Sequence, residues 1–148
     1  MAENALIGLT TLGVICACVI FHYEGLSLLG RWMTLQLFPH RIRIVVVIFG
    51  QVLLHLVEIW IFAVTYYLFA RNPDFGGFSN PSGELLEPSL LEQFYYSSIV
   101  YSTLGFGDIV PVGAIRVMSG TEAVLGLILI TWSASFTFLE MQRHWNRG

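Results

Sequence analysis

Three apolar stretches long enough to cross a lipid bilayer constrain this chain more than any other feature of its sequence. They cover residues 5–21, 44–70 and 116–141. At a rise of about 1.5 Å per residue, each can cross a hydrocarbon core about 30 Å thick as an α-helix, the first of them only just. Apolar residues make up 55% of the 148 residues and charged residues 11%, where soluble domains carry about a quarter charged residues. The sequence therefore predicts an all-α integral membrane protein.

Composition and cysteine spacing exclude several other classes. The chain has no lysine and no basic run, so nucleic-acid binding is not expected. Cys16 and Cys18 point in different directions on a helix and are interpreted as small apolar residues. The first stretch lacks the basic start of a signal peptide and carries Glu3 instead, so we expect it to be retained.

A short helix is predicted between the second and third spans. Residues 71–89 are rich in Gly and Pro and form a loop. Ser89 and Glu92 then have the spacing of a capping box, which predicts a helix over 90–102. That helix is too short to span the membrane, so it should re-enter, with protein or a water-filled pore around its irregular continuation.

Two glycines at alternate positions follow this helix. Gly105 and Gly107 suit a strand that alternates between ordinary and left-handed backbone and aims successive carbonyls in one direction. Backbone carbonyls can replace the water around a monovalent cation, and complete rings of them need several chains around an axis. The Thr103 hydroxyl can add a further oxygen. Leu104 and Phe106 are expected to pack backwards on the scaffold.

Residues 103–108, Thr-Leu-Gly-Phe-Gly-Asp, resemble the selectivity filter of the tetrameric potassium-channel superfamily at every position. The resemblance covers residues 44 to 141 and implies a homotetramer of small prokaryotic-type channel subunits in lipid, in the bacterial plasma membrane. It implies K⁺ bound by Thr103, Leu104, Gly105, Phe106 and Gly107, and filter support from Asp108, Tyr95 and Tyr96. The parts implied by the resemblance are an outer helix at 44–70, a turret at 71–89, a pore helix at 90–102, the filter, and an inner helix at 116–141. The residues before them predict an extra transmembrane helix at 1–22, which two-span members of the family lack, and an interfacial linker at 23–43 that lies along the membrane surface.

Two positions depart from the family pattern. Phe106 stands where many potassium channels have a tyrosine whose hydroxyl braces the filter, and it can only pack against Tyr95 or Tyr96. Ile99 stands where some members have a glutamate that pairs with the aspartate after the filter. Asp108 must therefore bond another partner or water.

The third span contains the candidates for a gate. Gly126 either allows the helix to bend or permits close helix packing, and the sequence favours neither. Below it an apolar stripe recurs at helical spacing and either lines the pore, where it could close by dewetting, or faces lipid or the outer helix. The stripe consists of Leu127, Ile130, Ala134 and Phe138.

Three ionisable residues lie inside the predicted spans. His55 and Glu58 share a face of the second span, and counting along the helices places Glu122 of the third span at a similar depth. Because intramembrane ionisable groups are costly, we expect these three to meet behind the filter. They would act as a structural brace, as a pH sensor or, least simply, in ion coordination.

The arginines indicate the orientation. Most lie before the second span or after the third, whereas Arg71 and Arg116 lie on the opposite side. The positive-inside rule then places the C-terminus in the cytoplasm and both the filter mouth and the N-terminus outside. The arginines on the predicted cytoplasmic side are Arg31, Arg41, Arg43, Arg143 and Arg147.

The interpretation is a potassium-selective channel that conducts passively and is not an enzyme. No arginine ladder and no soluble regulatory domain is expected in the chain, and K⁺ in the filter replaces any cofactor. The near alternative is a non-selective cation channel of the same fold, and a structural accessory subunit is another. The remote alternative is a membrane enzyme that binds a metal through His55, Glu58 and Glu122.

Overall fold

The computed structural model describes the backbone of residues 2–34 and 39–145, and the side chains of residues 5–33, 39 and 42–143. Three of its helices are long and apolar enough to cross a membrane, over Ala5–Met33, Ile42–Ala70 and Ile115–Arg143. This confirms the predicted all-α membrane architecture. The elements are α1 (Ala2–Thr34), α2 (His40–Ala70), a short 3₁₀ turn (Pro73–Phe75), β1 (Gly76–Ser79), α3 (Leu90–Tyr101), β2 (Val110–Gly113) and α4 (Ile115–Trp145).

Helix α1 is longer than predicted. It continues to Thr34 instead of ending at residue 22, and α2 begins at His40 instead of residue 44, so the expected interfacial linker at 23–43 is corrected for residues 23–34 and 40–43. Leu26 and Met33 on this extension are buried, because its apolar residues recur at helical spacing and keep one face against the protein. The predicted residues 35–38 of the linker lie outside the described part of the chain.

Helices α1 and α2 pack closely and run in opposite directions. A Cβ atom added to Gly25 would lie 2.4 Å from a methyl group of Leu54, and one added to Gly50 would lie 2.6 Å from a methyl group of Leu29. Each glycine thus receives a leucine of the other helix. Small residues that let helix backbones approach are typical of membrane helix interfaces. This contact fixes α1 against the α2 face from which the ionisable residues project.

Helix α3 forms close to the predicted range and packs against both α2 and α4. Ser89 is its N-cap residue, but the Ser89 side chain makes no capping hydrogen bond, so the predicted capping box is wrong. The first bond of the helix runs instead from the Gln93 amide to the Ser89 carbonyl, 2.9 Å away. The helix boundary therefore follows from backbone geometry after Pro88 rather than from a side-chain cap.

A small antiparallel sheet, absent from the sequence prediction, ties the loop before α3 to the start of α4. β1 pairs with β2 so that Gly76 faces Gly113. Both glycines have left-handed backbone, with φ of 95° and 76°. A Cβ atom on Gly76 would lie 2.0 Å from the Val112 carbonyl oxygen, so the pairing requires glycine there. The sheet closes the segment that contains α3 and the glycine-containing loop into one unit.

Candidate functional site

Helix α3 ends in a Schellman motif that leads directly into residues 103–108. The Thr103 amide donates to the Val100 carbonyl and the Leu104 amide to the Ile99 carbonyl, each over 2.9 Å. Thr103 has φ 60°, the left-handed conformation that glycine usually supplies at this point of the motif. The first two amides of the loop therefore satisfy the last carbonyls of the helix, and the position of the loop is set by the end of α3.

The backbone of the loop alternates in handedness. Thr103, Gly105 and Gly107 have φ of 60°, 58° and 79°, whereas none of the residues between them has a positive φ. Sequence analysis predicted left-handed backbone at Gly105 and Gly107, and the structure confirms it. Thr103 was not expected to share it, since a β-branched residue rarely adopts positive φ.

The apolar side chains of the loop do not pack on their own chain. Leu104 is 63% exposed and Phe106 is 64% exposed. The prediction that both pack backwards on the scaffold is therefore wrong within one chain. Because this loop lies between two membrane spans, the two exposed apolar side chains are available to contact lipid or another chain.

Asp108 has a partner on α3. The Tyr95 hydroxyl donates to Asp108 Oδ2 over 2.7 Å, and the Ile109 amide donates to Asp108 Oδ1 over 3.1 Å. The hydrogen bond to Asp108 raises the pKa of the Tyr95 phenol above its usual value. Tyr95 lies one helical turn before Ile99, so a tyrosine supplies the bond that a glutamate at Ile99 would have made. Tyr96 is instead buried and donates to the Ser119 hydroxyl over 2.8 Å.

If residues 103–108 line a conducting pore, as their resemblance to a filter implies, replacing Tyr95 with phenylalanine is expected to shorten the time for which the pore conducts, because the ring is kept while the bond to Asp108 is lost. Asp108→Asn should act in the same direction, since a charged acceptor becomes a neutral one. The measurement is the decay of current in planar bilayers. If the two groups act as one pair, the double variant decays no faster than the more impaired single variant, whereas additive effects would contradict the pairing.

Gly126 of α4 lies directly on the end of α3. A Cβ atom at Gly126 would lie 2.1 Å from the carbonyl oxygen of Tyr101. Of the two roles left open by the sequence, this contact favours close packing over a hinge. The absence of a side chain at Gly126 thus sets the distance between α4 and the residue two before Thr103.

The ionisable residues form two networks instead of the single predicted cluster. In the first, His22 Nδ1 lies 2.8 Å from Glu58 Oε1 and His55 Nδ1 lies 3.2 Å from Glu58 Oε2. The Tyr101 hydroxyl also donates to Glu58 and lies 2.8 Å from His55 Nδ1. His22 and Glu58 are completely buried. His22 was missed because the sequence analysis ended the first helix at residue 22, where a histidine resembles an interfacial residue.

Glu122 belongs to the second network, which corrects the prediction that it meets His55 and Glu58. It accepts hydrogen bonds from the hydroxyl groups of Tyr66 and Ser97, each over 2.5 Å. Tyr66 lies two helical turns beyond Glu58 on α2. The prediction counted residues from the helix ends, which takes no account of helix tilt or of the face that α3 occupies. On α4 the residue at the level of Tyr101 is Gly126, one turn after Glu122.

The gate candidates below Gly126 face away from the rest of the chain. Leu127 is 54% exposed, Phe138 is 59% exposed, and Ile130 and Ala134 are also exposed. A helix face left uncovered in this way is available to lipid, to a pore or to another copy. Their role as a gate stays a prediction.

The second and third long helices, with α3 between them, match a known protein family. A family model described as "Ion channel" matches residues 42–143, from the start of α2 to the end of α4. The chain belongs to this ion-channel family. The three apolar helices fit a small pore-loop channel, and α1 lies outside the matched part. Searches of curated proteins and of solved structures found no significant match.

The family match covers three α-helices and the segments between them, which the two buried networks hold together and connect to α1. The match contains α2, the loop with its sheet, α3, residues 103–108 and α4. The network around Glu122 joins α2, α3 and α4 of this unit. The network around Glu58 adds α1 through His22, so the helix outside the matched part is bonded to the part inside it.

Proposed function

We propose that the protein is a potassium-selective channel in which four copies surround one pore and conduct K⁺ passively. The ion would be held by the oxygens of Thr103, Leu104, Gly105, Phe106 and Gly107. The observation that carries the proposal is the alternation of left-handed backbone at 103, 105 and 107, immediately after a helix that does not span the membrane. Glycine adopts positive φ freely, but Thr103 is a β-branched L-residue that rarely does so, and its left-handed conformation therefore supports a constrained, specialised loop.

Exposure supports assembly around the loop. Residues 103–108 are all exposed in a single chain, including the large apolar side chains of Leu104 and Phe106. Irregular backbone at membrane depth must be surrounded by protein or line a water-filled cavity. Copies related by rotation would cover these side chains with one another and leave the backbone facing an axis.

Electrostatics favour a cation at this place. The C-terminal end of α3 carries the partially negative end of its helix dipole and lies next to Thr103. Asp108 adds a carboxylate at the other end of the loop. A cation entering the loop would therefore meet favourable potential at both ends, and backbone carbonyls would replace its water without adding net charge.

The proposed orientation follows from the arginines and from the fold. The N-terminal part of α1 lies near the turn at Pro73–Phe75, on the side of the membrane to which the loop of residues 71–89 belongs. With the C-terminus cytoplasmic by the positive-inside rule, the N-terminus and the mouth of the filter would both be external.

The proposal is tested by K⁺ flux into liposomes that contain the purified protein. We expect flux along a K⁺ gradient that Ba²⁺ blocks, since this divalent ion has the size of K⁺ and can enter a carbonyl-lined site. Protein-free liposomes and liposomes with the Gly105→Ala variant are the controls. Failure of correctly inserted wild-type protein to pass K⁺ would contradict the proposal and favour the structural accessory subunit.

A non-selective cation channel is the second candidate, favoured by one observation. Phe106 lacks a hydroxyl group, and its ring is 64% exposed within the chain, so among the described residues the side-chain brace on the filter from its own subunit is the bond between Tyr95 and Asp108. A loosely held filter would discriminate less between K⁺ and Na⁺. Reversal potentials measured with K⁺ on one side and Na⁺ on the other separate the two candidates.

A further inference from the structure

The buried network that joins α1 to α2 has the donor atoms of a metal site. Its three possible ligands are His22 of α1 and His55 and Glu58 of α2, and their ligand atoms all lie within 4.8 Å of one another. The side chains of His22 and Glu58 are fully buried, whereas that of His55 is 18% exposed. The site lies at the level where Gly25 and Leu54 bring the two helices close together.

The distances suit a small divalent ion. Glu58 Oε1 lies 2.8 Å from His22 Nδ1, and Glu58 Oε2 lies 3.2 Å from His55 Nδ1. In a tetrahedral site with metal–ligand bonds of about 2.0–2.2 Å, neighbouring ligand atoms are about 3.3–3.5 Å apart. One ligand atom from each of the three residues lies within 4.8 Å of the other two, so side-chain adjustment would be needed to bring all three to bonding distance of one ion.

The surrounding residues hold the rings in suitable orientations. The Ser133 hydroxyl lies 3.2 Å from His22 Nε2, so His22 can use Nε2 for this hydrogen bond and keep Nδ1 directed at Glu58. The Tyr101 hydroxyl donates to Glu58 Oε2 and lies 2.8 Å from His55 Nδ1, so His55 would exchange this contact for the bond to the ion while Glu58 keeps its hydrogen bond. Histidine ligands in metal sites almost always hydrogen-bond through the second ring nitrogen, and ligating carboxylates are hydrogen-bonded in turn.

We propose that His22, His55 and Glu58 bind one divalent transition-metal ion of the Zn²⁺ type. Two imidazoles and one carboxylate favour Zn²⁺, Co²⁺, Ni²⁺ or Cu²⁺ over Mg²⁺ and Ca²⁺, which prefer oxygen ligands. The ion also compensates the negative charge of Glu58, which is otherwise buried between helices in an apolar environment. The ion connects α1 to α2. Through the hydrogen bond of Glu58 with Tyr101, the last residue of α3, it also connects both helices to the start of the loop.

The site differs from the metal site considered in the sequence analysis. Glu122 is bonded to Tyr66 and Ser97 in the separate network and takes no part. The ion is structural, no reaction is assigned to it, and its binding does not depend on whether the pore selects K⁺.

The test is Zn²⁺ binding to purified protein without a histidine tag, measured by competition with a chromogenic chelator. Wild type should bind one high-affinity Zn²⁺ per chain. His22→Gln and His55→Gln should each lose affinity by about 100-fold or more, because loss of even an indirect partner of a ligand costs about 10–100-fold. Glu24→Gln is the matched control, since Glu24 is exposed on α1 two residues from His22 and should bind like wild type.

Two further measurements keep the result decisive if a histidine variant folds poorly. Co²⁺ bound to wild type should give the visible absorption of an ion held by two imidazoles and a carboxylate. Zn²⁺ should raise the thermal unfolding temperature of wild type and of Glu24→Gln by the same amount. No Zn²⁺ binding by wild type, or equal binding by a folded His22→Gln variant, would overturn the proposal and leave a hydrogen-bonded brace.

Discussion

Replacing Gly126 with alanine is expected to lower the free energy of unfolding by about 1–3 kcal/mol, the usual range for added volume in a tightly packed interior. It should also remove most of the K⁺ flux. The new Cβ would lie 2.1 Å from the Tyr101 carbonyl oxygen, and a backbone atom cannot move aside as a flexible side chain does. The end of α3 must therefore shift away from α4, and residues 103–108 must shift with it. Stability is measured by denaturant titration in micelles and flux in liposomes.

Gly120→Ala is the matched control on the same helix. Gly120 has no atom within 4 Å of its virtual Cβ, and alanine is the better helix former. Its free energy of unfolding should stay within about 1 kcal/mol of wild type, and its flux should be unchanged. Equal behaviour of the two variants would show that the contact between Gly126 and Tyr101 does not set the position of the loop.

Replacing Gly105 with alanine is expected to abolish K⁺ flux while the helices stay folded. Gly105 has φ 58°, a conformation that costs an L-residue about 1–2 kcal/mol, and nothing in its own chain contacts the added atom. The strain is relieved by rotation of the peptide, which turns a carbonyl away from the pore. Gly83→Ala is the control, since Gly83 has φ 84° and equally open surroundings but lies in the loop before α3. Its flux should match wild type.

Mixed assemblies extend this prediction. If four copies build one ring and a single altered copy blocks it, equal amounts of wild type and Gly105→Ala should leave about one-sixteenth of the flux per assembly, as expected for random tetramers. The measurement is flux from co-expressed, differently tagged subunits. A remaining flux of one half would mean that each chain conducts alone, which contradicts a shared filter.

The sequence predicted the elements of the pore unit because its signals there are physically strong. Apolar length determined the two spans of this unit, and the start of α3 was predicted at the right residue, although the capping box on which that prediction rested does not form. The glycines at 105 and 107 predicted left-handed backbone, which the structure has. These features depend on residues that are close together in the sequence, so the sequence alone was sufficient to predict them.

The features that sequence analysis missed depend on contacts between distant segments. The pairing of Gly76 with Gly113 and the contact of Gly126 with Tyr101 each join segments far apart in sequence, and glycine alone does not reveal its neighbour. The depth of Glu122 was counted along a straight helix and placed it beside Glu58. His22 received no role because the first helix was predicted to end there. A longer helix would have placed His22 inside the span and suggested that it is buried.

In the proposed channel, oxygens of residues 103–107 replace the water around K⁺ more favourably than around Na⁺. The measurement that tests this most directly is the reversal potential of wild-type protein in a planar bilayer with K⁺ on one side and Na⁺ on the other. We expect a reversal potential far from zero, in the direction that K⁺ permeation dictates, and a smaller one for the Tyr95→Phe variant. A potential near zero with robust current would contradict a potassium-selective filter.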